Sequence, residues 1–192
     1  MPFSKPVNRQ LLHTRKIECT GYHREDGLWD IEAYLIDTKT YSFPNKFRGG
    51  IQAGESLHGL GLRLTLDDNF VIQDAQAIID ASPFAVCPAI TPRFALLKGL
   101  QIKTGWNRHV KTLLGDVKGC THLVELLAPL ATTAFQTIYG ATKEKREEEM
   151  SANPEKKPAL LDTCHALSCD GEVVKTFFPR FYTGQTTDKQ NN

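Results

Sequence analysis

A chain of 192 residues with 41% hydrophobic and 23% charged side chains can bury a core without disulfides or a compulsory metal, and its composition is far from that of a disordered chain. A formal net charge of +1 supplies no field that would draw the protein to nucleic acid or to an anionic membrane, so neither is expected as a partner. Five irregularly spaced cysteines, Cys19, Cys87, Cys120, Cys164 and Cys169, make no disulfide framework. With no apolar run of signal-peptide length in MPFSKPVNRQLLHTRK, the expectation is a cytoplasmic protein carrying free thiols.

The first half, residues 1–80, reads as strands. Residues 13–22 form a first candidate. In residues 28–37, Trp29, Ile31, Ala33 and Leu35 alternate with Asp30, Glu32, Tyr34 and Ile36, the period of a half-buried strand. The HREDG stretch between them supplies turn residues for a hairpin. Residues 38–56 lack periodicity and read as a long loop of the kind that is often functional. Leu60, Leu62, Leu64 and Leu66 alternate with polar residues in a third strand, and Asp67-Asp68-Asn69 reverse the chain into a fourth over residues 70–79. An antiparallel sheet with one buried face follows.

Residues 90–140 read as helices. Thr91-Pro92 suits an N-cap and first helical residue for a segment ending near Gly99, and residues 104–114 form a second helix stopped by Gly115. The third begins around Gly119-Cys120-Thr121 and places Leu123, Leu127, Leu130, Ala134 and Ile138 on one stripe. Pro129 predicts a kink or a restart there. Leu123 to Phe135 is the most apolar stretch, but it contains Glu125 and is too short to cross a bilayer. The charged residues 141–160 read as a solvated helix end and linker. Residues 161–182 are apolar enough to pack back on the domain, with a short strand pair around Asp170-Gly171, and residues 183–192 read as a loose tail. The expectation is a single α+β domain spanning residues 1–192, its antiparallel sheet packed on C-terminal helices.

Gly119-Cys120-Thr121-His122 is the most suggestive chemical motif. A thiol at a helix N-terminus meets unpaired N–H groups that favour thiolate, and His122 can serve as its base or as a second metal ligand. The competing reading has Cys120 facing the core beside Leu123. Cys87, Cys120, His122 and Cys164 together would make a Cys₃His set for zinc or an iron–sulfur centre, although none belongs to a C-x-x-C pair. His58, at the start of a strand after the glycine-containing loop, can act as acid or base near neutral pH, or be a hydrogen-bonded strand-end residue. Arg63 or Arg24 would clamp an acidic group on a substrate, Arg24 alternatively being a turn charge. Trp106 beside Arg108 and His109 reads as core before it reads as an aromatic–cationic wall. No G-x-S-x-G, P-loop, dinucleotide fingerprint or H-E-x-x-H occurs.

Several stretches resemble a bacterial family known as domain of unknown function 2889: Tyr22-His23-Arg24-Glu25-Asp26-Gly27-Leu28-Trp29-Asp30, Leu62-Arg63-Leu64-Thr65-Leu66-Asp67, Gly105-Trp106, Gly119-Cys120-Thr121-His122-Leu123-Val124-Glu125-Leu126 and Asp170-Gly171-Glu172-Val173-Val174. The resemblance implies relatedness over most of the chain and no reaction. The order of hairpin, cysteine, helices and cysteine is more distantly similar to iron–sulfur scaffolds of the NifU type, a likeness of topology alone.

The leading expectation is a small enzyme, lyase- or hydrolase-like, acting on an organic metabolite. Cys120, His122, His58 and Arg63 would be its catalytic residues, with metal assistance through Cys87, Cys120, His122 and Cys164. The alternative is a non-catalytic zinc or iron–sulfur carrier using those four metal-site residues. Self-association is compatible with either.

Overall fold

In the computed structural model, which describes residues 3–184, the chain forms two compact units, Met1–Ala141 and Thr142–Asn192. The boundary falls at the start of the charged stretch. The first unit is built on a four-stranded antiparallel meander, β1 (His13–His23), β2 (Trp29–Lys39), β3 (Ser56–Leu66) and β4 (Ile72–Ala81), with each strand beside its neighbour in sequence. The protein is therefore α+β, as its patterning implies.

Alternation dictates which face is buried. Trp29, Ile31, Ala33 and Leu35 lie directly opposite Leu66, Leu64, Leu62 and Leu60. All eight are buried in one apolar face. Over that face lies α2 (Thr121–Ala141), which contributes Leu123, Leu126, Leu127, Leu130, Ala134 and Ile138. Burial of each large side chain is worth about 1.5–3 kcal/mol before ordering costs. α2 runs unbroken through Pro129, so the proline neither ends nor restarts it. Gly21 of β1 marks the closest approach of sheet and helix. A Cβ there would stand 2.0 Å from the Thr137 hydroxyl oxygen, so any larger residue would push α2 off the strand. A shorter helix, α1 (Trp106–Leu114), follows Gly105, whose φ of 89° favours glycine. Trp106 is core: it is buried, and its indole N–H donates to the Leu127 carbonyl at 3.2 Å.

Two local expectations are corrected, and a third, the loop between the second and third strands, is borne out. The helix expected over residues 91–99 is a 3₁₀ run, Cys87–Leu97. Pro88 and Pro92 both lack the N–H that an α-helical ladder needs, and Thr91 donates its hydroxyl to the Pro88 carbonyl instead of capping. The loop between β2 and β3 is anchored by a bridge between Phe43 and the buried Ile51, and by Asn45, which accepts from the Phe47 and Arg48 amides. In the second unit no strand pair forms around Asp170-Gly171. Gly171 instead precedes α4 (Glu172–Phe177), its carbonyl accepting the first helical bond from Lys175 at 3.0 Å. The charged stretch forms α3 (Lys143–Ala152), which buries no residue. Within this unit Asp162 accepts from the Cys169 amide at 2.9 Å and pairs with Lys157 at 2.6 Å. Those two contacts hold its carboxyl down at about 2. Most of the expected loose tail, residues 185–192, lies outside the described residues.

Candidate functional site

The apolar rows of the buried face end in a polar one. Arg15, Asp37 and His58 are consecutive cross-strand partners on β1, β2 and β3. Asp37 continues the phase of Trp29, Ile31, Ala33 and Leu35, so its carboxylate points inward, and only 1% of it is exposed. Such burial is tolerable only if the charge is met. Arg15 meets it with two parallel bonds, Nε to Oδ1 at 2.8 Å and Nη2 to Oδ2 at 2.7 Å. His58 Nδ1 lies 2.9 Å from Oδ2, and His13 Nε2 lies 3.2 Å from Oδ1. Each carboxylate oxygen therefore has two partners, its full lone-pair complement. Burial opposes the charge on Asp37, but the bonds from Arg15 and His58 outweigh it and hold the carboxyl down at about 2.

The helix completes the cluster. His122, in the first turn of α2, stacks on His58 with ring centroids 3.9 Å apart and planes tilted by 35°. One turn later Glu125 accepts from Arg15 Nη1 at 2.5 Å, so a single guanidinium ties the sheet to the helix. Burial disfavours a proton on His122, and the positive neighbours His58 and Arg15 act in the same direction, lowering its pKa. Cys120 is half-buried, with its sulfur 4.0 Å from His122 Nδ1. Because Asp37 fixes Nδ1 of His58, the opposite ring nitrogen is left for other partners. The donor atoms of Asp37, His58 and His122 all lie within 4.8 Å of one another, a spacing able to hold a metal ion.

The other sequence candidates lie elsewhere. Arg63 is on the opposite face of the sheet, bonded to Glu32 at 2.7 Å and largely open to solvent. The strand alternation that turns His58 inward turns Arg63 outward. Arg24 is a turn charge paired with Asp26 and Asp30. Cys87 begins the 3₁₀ run and does not join Cys120 and His122 in a metal-capable group among the described residues, while Cys164 is exposed in the second unit. Sequence reasoning missed Asp37, Arg15, His13 and Glu125. The signal for Asp37 was available: extending the Trp29–Leu35 alternation by two residues places a charge on an apolar face.

Two cavities flank this geometry. A cleft of about 440 Å³ between α1 and α2, walled by Val110, Leu114, Val124 and Leu127, has Glu125, the partner of Arg15, in its lining, but no imidazole or thiol. A depression of about 450 Å³ on the outer face of the sheet lies over Gly61 between Tyr34 and Ile78, and its lining holds no imidazole or thiol.

Fold and site together define an α+β meander domain whose helix closes an Arg–Asp–His row, centred on a buried carboxylate, with a second imidazole. The chain belongs to the family described as Protein of unknown function (DUF2889), which matches residues 13–136, a span that includes every member of the cluster. No curated protein and no solved structure matches it. Among the described residues no helix is long and apolar enough to cross a membrane.

Proposed function

We propose that this protein is a small enzyme that moves protons on an organic metabolite at the His58–His122 pair. The observation that carries this reading is the hydrogen bond from His58 to Asp37, a buried carboxylate whose remaining positions are filled by Arg15 and His13. Such a carboxylate fixes the tautomer and orientation of an imidazole, and a second imidazole against its face gives the site a partner for proton transfer. Asp37 is a positioning residue and His58 and His122 are the reacting groups. Cys120 is their neighbour through the 4.0 Å contact. The apolar cleft beside the cluster, lined in part by Glu125, has room for the carbon skeleton of a small metabolite, although the two histidines do not line it. Arg63, on the far face, has no part in it.

An unbiased mixture of candidate substrates provides the test. Purified protein is incubated in D₂O with a deproteinised metabolite extract, and deuterium uptake and new masses are followed by mass spectrometry. Wild type is expected to label or convert at least one compound, and His58→Gln and His122→Gln to lose at least about 100-fold of that rate. Cys120→Ser should lose less than about tenfold. An extract left unchanged by wild type, or labelled equally by the histidine variants, would sink the reading. A total loss in Cys120→Ser with an unchanged melting temperature would instead make the thiol a nucleophile.

A further inference from the structure

We infer that Asp37, His58 and His122 form a binding site for one divalent transition-metal ion, with coordination positions left open to water and substrate. The inference rests on the same pair of imidazoles as the proposed function and gives that site a cofactor. In the metal-bound form a coordinated water would carry the proton chemistry and the imidazoles would be its ligands.

Geometry carries the inference. Asp37 Oδ2 and His58 Nδ1 stand 2.9 Å apart. Two adjacent ligands with bonds of about 2.1 Å are about 3.0 Å apart on an octahedral ion and about 3.4 Å apart on a tetrahedral one. An ion bound to this pair would displace the bridging hydrogen and sit to one side of the N···O line, with the imidazole turned to face it. His122 offers a third donor, and one ligand atom from each of the three residues lies within 4.8 Å of the other two. Two of the donors are directly opposed on β2 and β3 and the third is in the first turn of a 21-residue helix, so the set is presented by regular elements and not by loops.

The surroundings fit as well. A ligating carboxylate is ordinarily held by further hydrogen bonds, and Asp37 keeps those from Arg15 and the contact with His13 when Oδ2 turns to an ion. Arg15 faces two carboxylates, Asp37 and Glu125, so with neutral imidazoles the cluster carries one net negative charge and attracts a cation. Two imidazoles and one carboxylate leave the coordination sphere unfilled, as working metal sites do and structural ones do not. Nitrogen and oxygen donors favour zinc, cobalt, iron(II) or manganese over the iron–sulfur clusters that thiolates hold. This ligand set shares only His122 with the cysteine-based set expected from the sequence.

The test uses the full chain, stripped with chelator and titrated with Zn²⁺ by calorimetry and with Co²⁺ by visible spectroscopy. One ion per chain is expected, with no sulfur-to-cobalt charge-transfer band. His58→Ala and His122→Ala should each weaken binding by at least about 100-fold, and His13→Ala by about 10-fold. Cys87→Ser and Cys164→Ser should bind as wild type does. Melting curves of the metal-free variants check the fold, and His122→Ala decides the matter if His58→Ala does not fold. Absence of uptake, uptake indifferent to both histidines, or a strong sulfur band would overturn the site. Metal-free protein that labels metabolites, together with absent uptake, removes the ion and leaves the enzyme standing. A bound ion without any labelling supports the ion site and counts against the enzyme.

Discussion

The two faces of the sheet carry similar chemistry in opposite settings. On the outer face Arg63 pairs with Glu32, with side chains 46% and 37% exposed, and Tyr34 reaches over Gly61 to donate to Asp80 at 2.6 Å. On the inner face Arg15 pairs with Asp37, which is 1% exposed, and two imidazoles press against the pair. Both faces contain an arginine–carboxylate bond between adjacent strands. Only on the inner face is the carboxylate itself buried, and only there does a helix bring further titratable groups to the same point. Exposure and convergence, not the residue types, distinguish a working cluster from a solvated face.

The sharpest way to break the comparison is Asp37→Ala. Removing the buried acceptor leaves His58 without its orienting bond and Arg15 with Glu125 alone, at a cost of about 3 kcal/mol in urea unfolding of the metal-free protein. The effect should depend on pH in a definite direction. The folded carboxyl titrates at about 2, below the ordinary aspartate value of about 3.9. Its contribution is therefore complete above about pH 4 and is lost as pH falls toward 2, so the gap between wild type and Asp37→Ala should narrow over that interval. A gap that stayed constant to pH 2 would mean that the carboxylate's charge is not what holds the row together.

On the outer face the corresponding change is Tyr34→Phe, with an expected cost of about 1 kcal/mol. The hydrogen bond to Asp80, aided by partial burial and the nearby negative charge, pushes the Tyr34 phenol up to about 12. For a group whose folded value is raised, the contribution is complete below about pH 10 and disappears as pH rises through 12. The two faces should thus lose their contributions at opposite ends of the pH scale, which denaturation series at pH 2–4 and 10–12 can separate. The smallest effect belongs to Arg63→Ala, within about 0.5 kcal/mol and with no change in metabolite labelling. A larger loss of labelling would return Arg63 to the site from which its strand position excludes it.

The same contrast explains how much was legible in the sequence. The sheet was plain, because leucines at 60, 62, 64 and 66 and the alternation from Trp29 to Leu35 leave little choice of face, and Asp67 caps the β3–β4 turn by accepting from the Asn69 and Val71 amides. His58 and His122 stand out by their local settings, a strand start and a helix start, and the fold brings both to one point. Cys87 and Cys164 attract attention because thiols suggest metals, yet nothing in a linear spacing of 33 or 44 residues from Cys120 says whether two groups meet. Asp37 looks in sequence like an ordinary strand-end charge. Its partners Arg15 and His13 are visible only once the β1–β2 register is known, since register decides which side chains share a face.

The meander also has a consequence for how the site comes into being. Every strand pairs with its neighbour in sequence; the hairpin joining Arg15 to Asp37 closes over the short turn at residues 24–28, His58 follows across the longer loop of residues 40–55, and His122 and Glu125 arrive from more than sixty residues beyond His58. Short closures are entropically cheap and fast. The Arg15–Asp37 pair thus needs only the β1–β2 hairpin, while the second imidazole needs α2 packed on the sheet. Completion of the centre thereby depends on the long-range packing of α2, and a chain without that packing would display half a site.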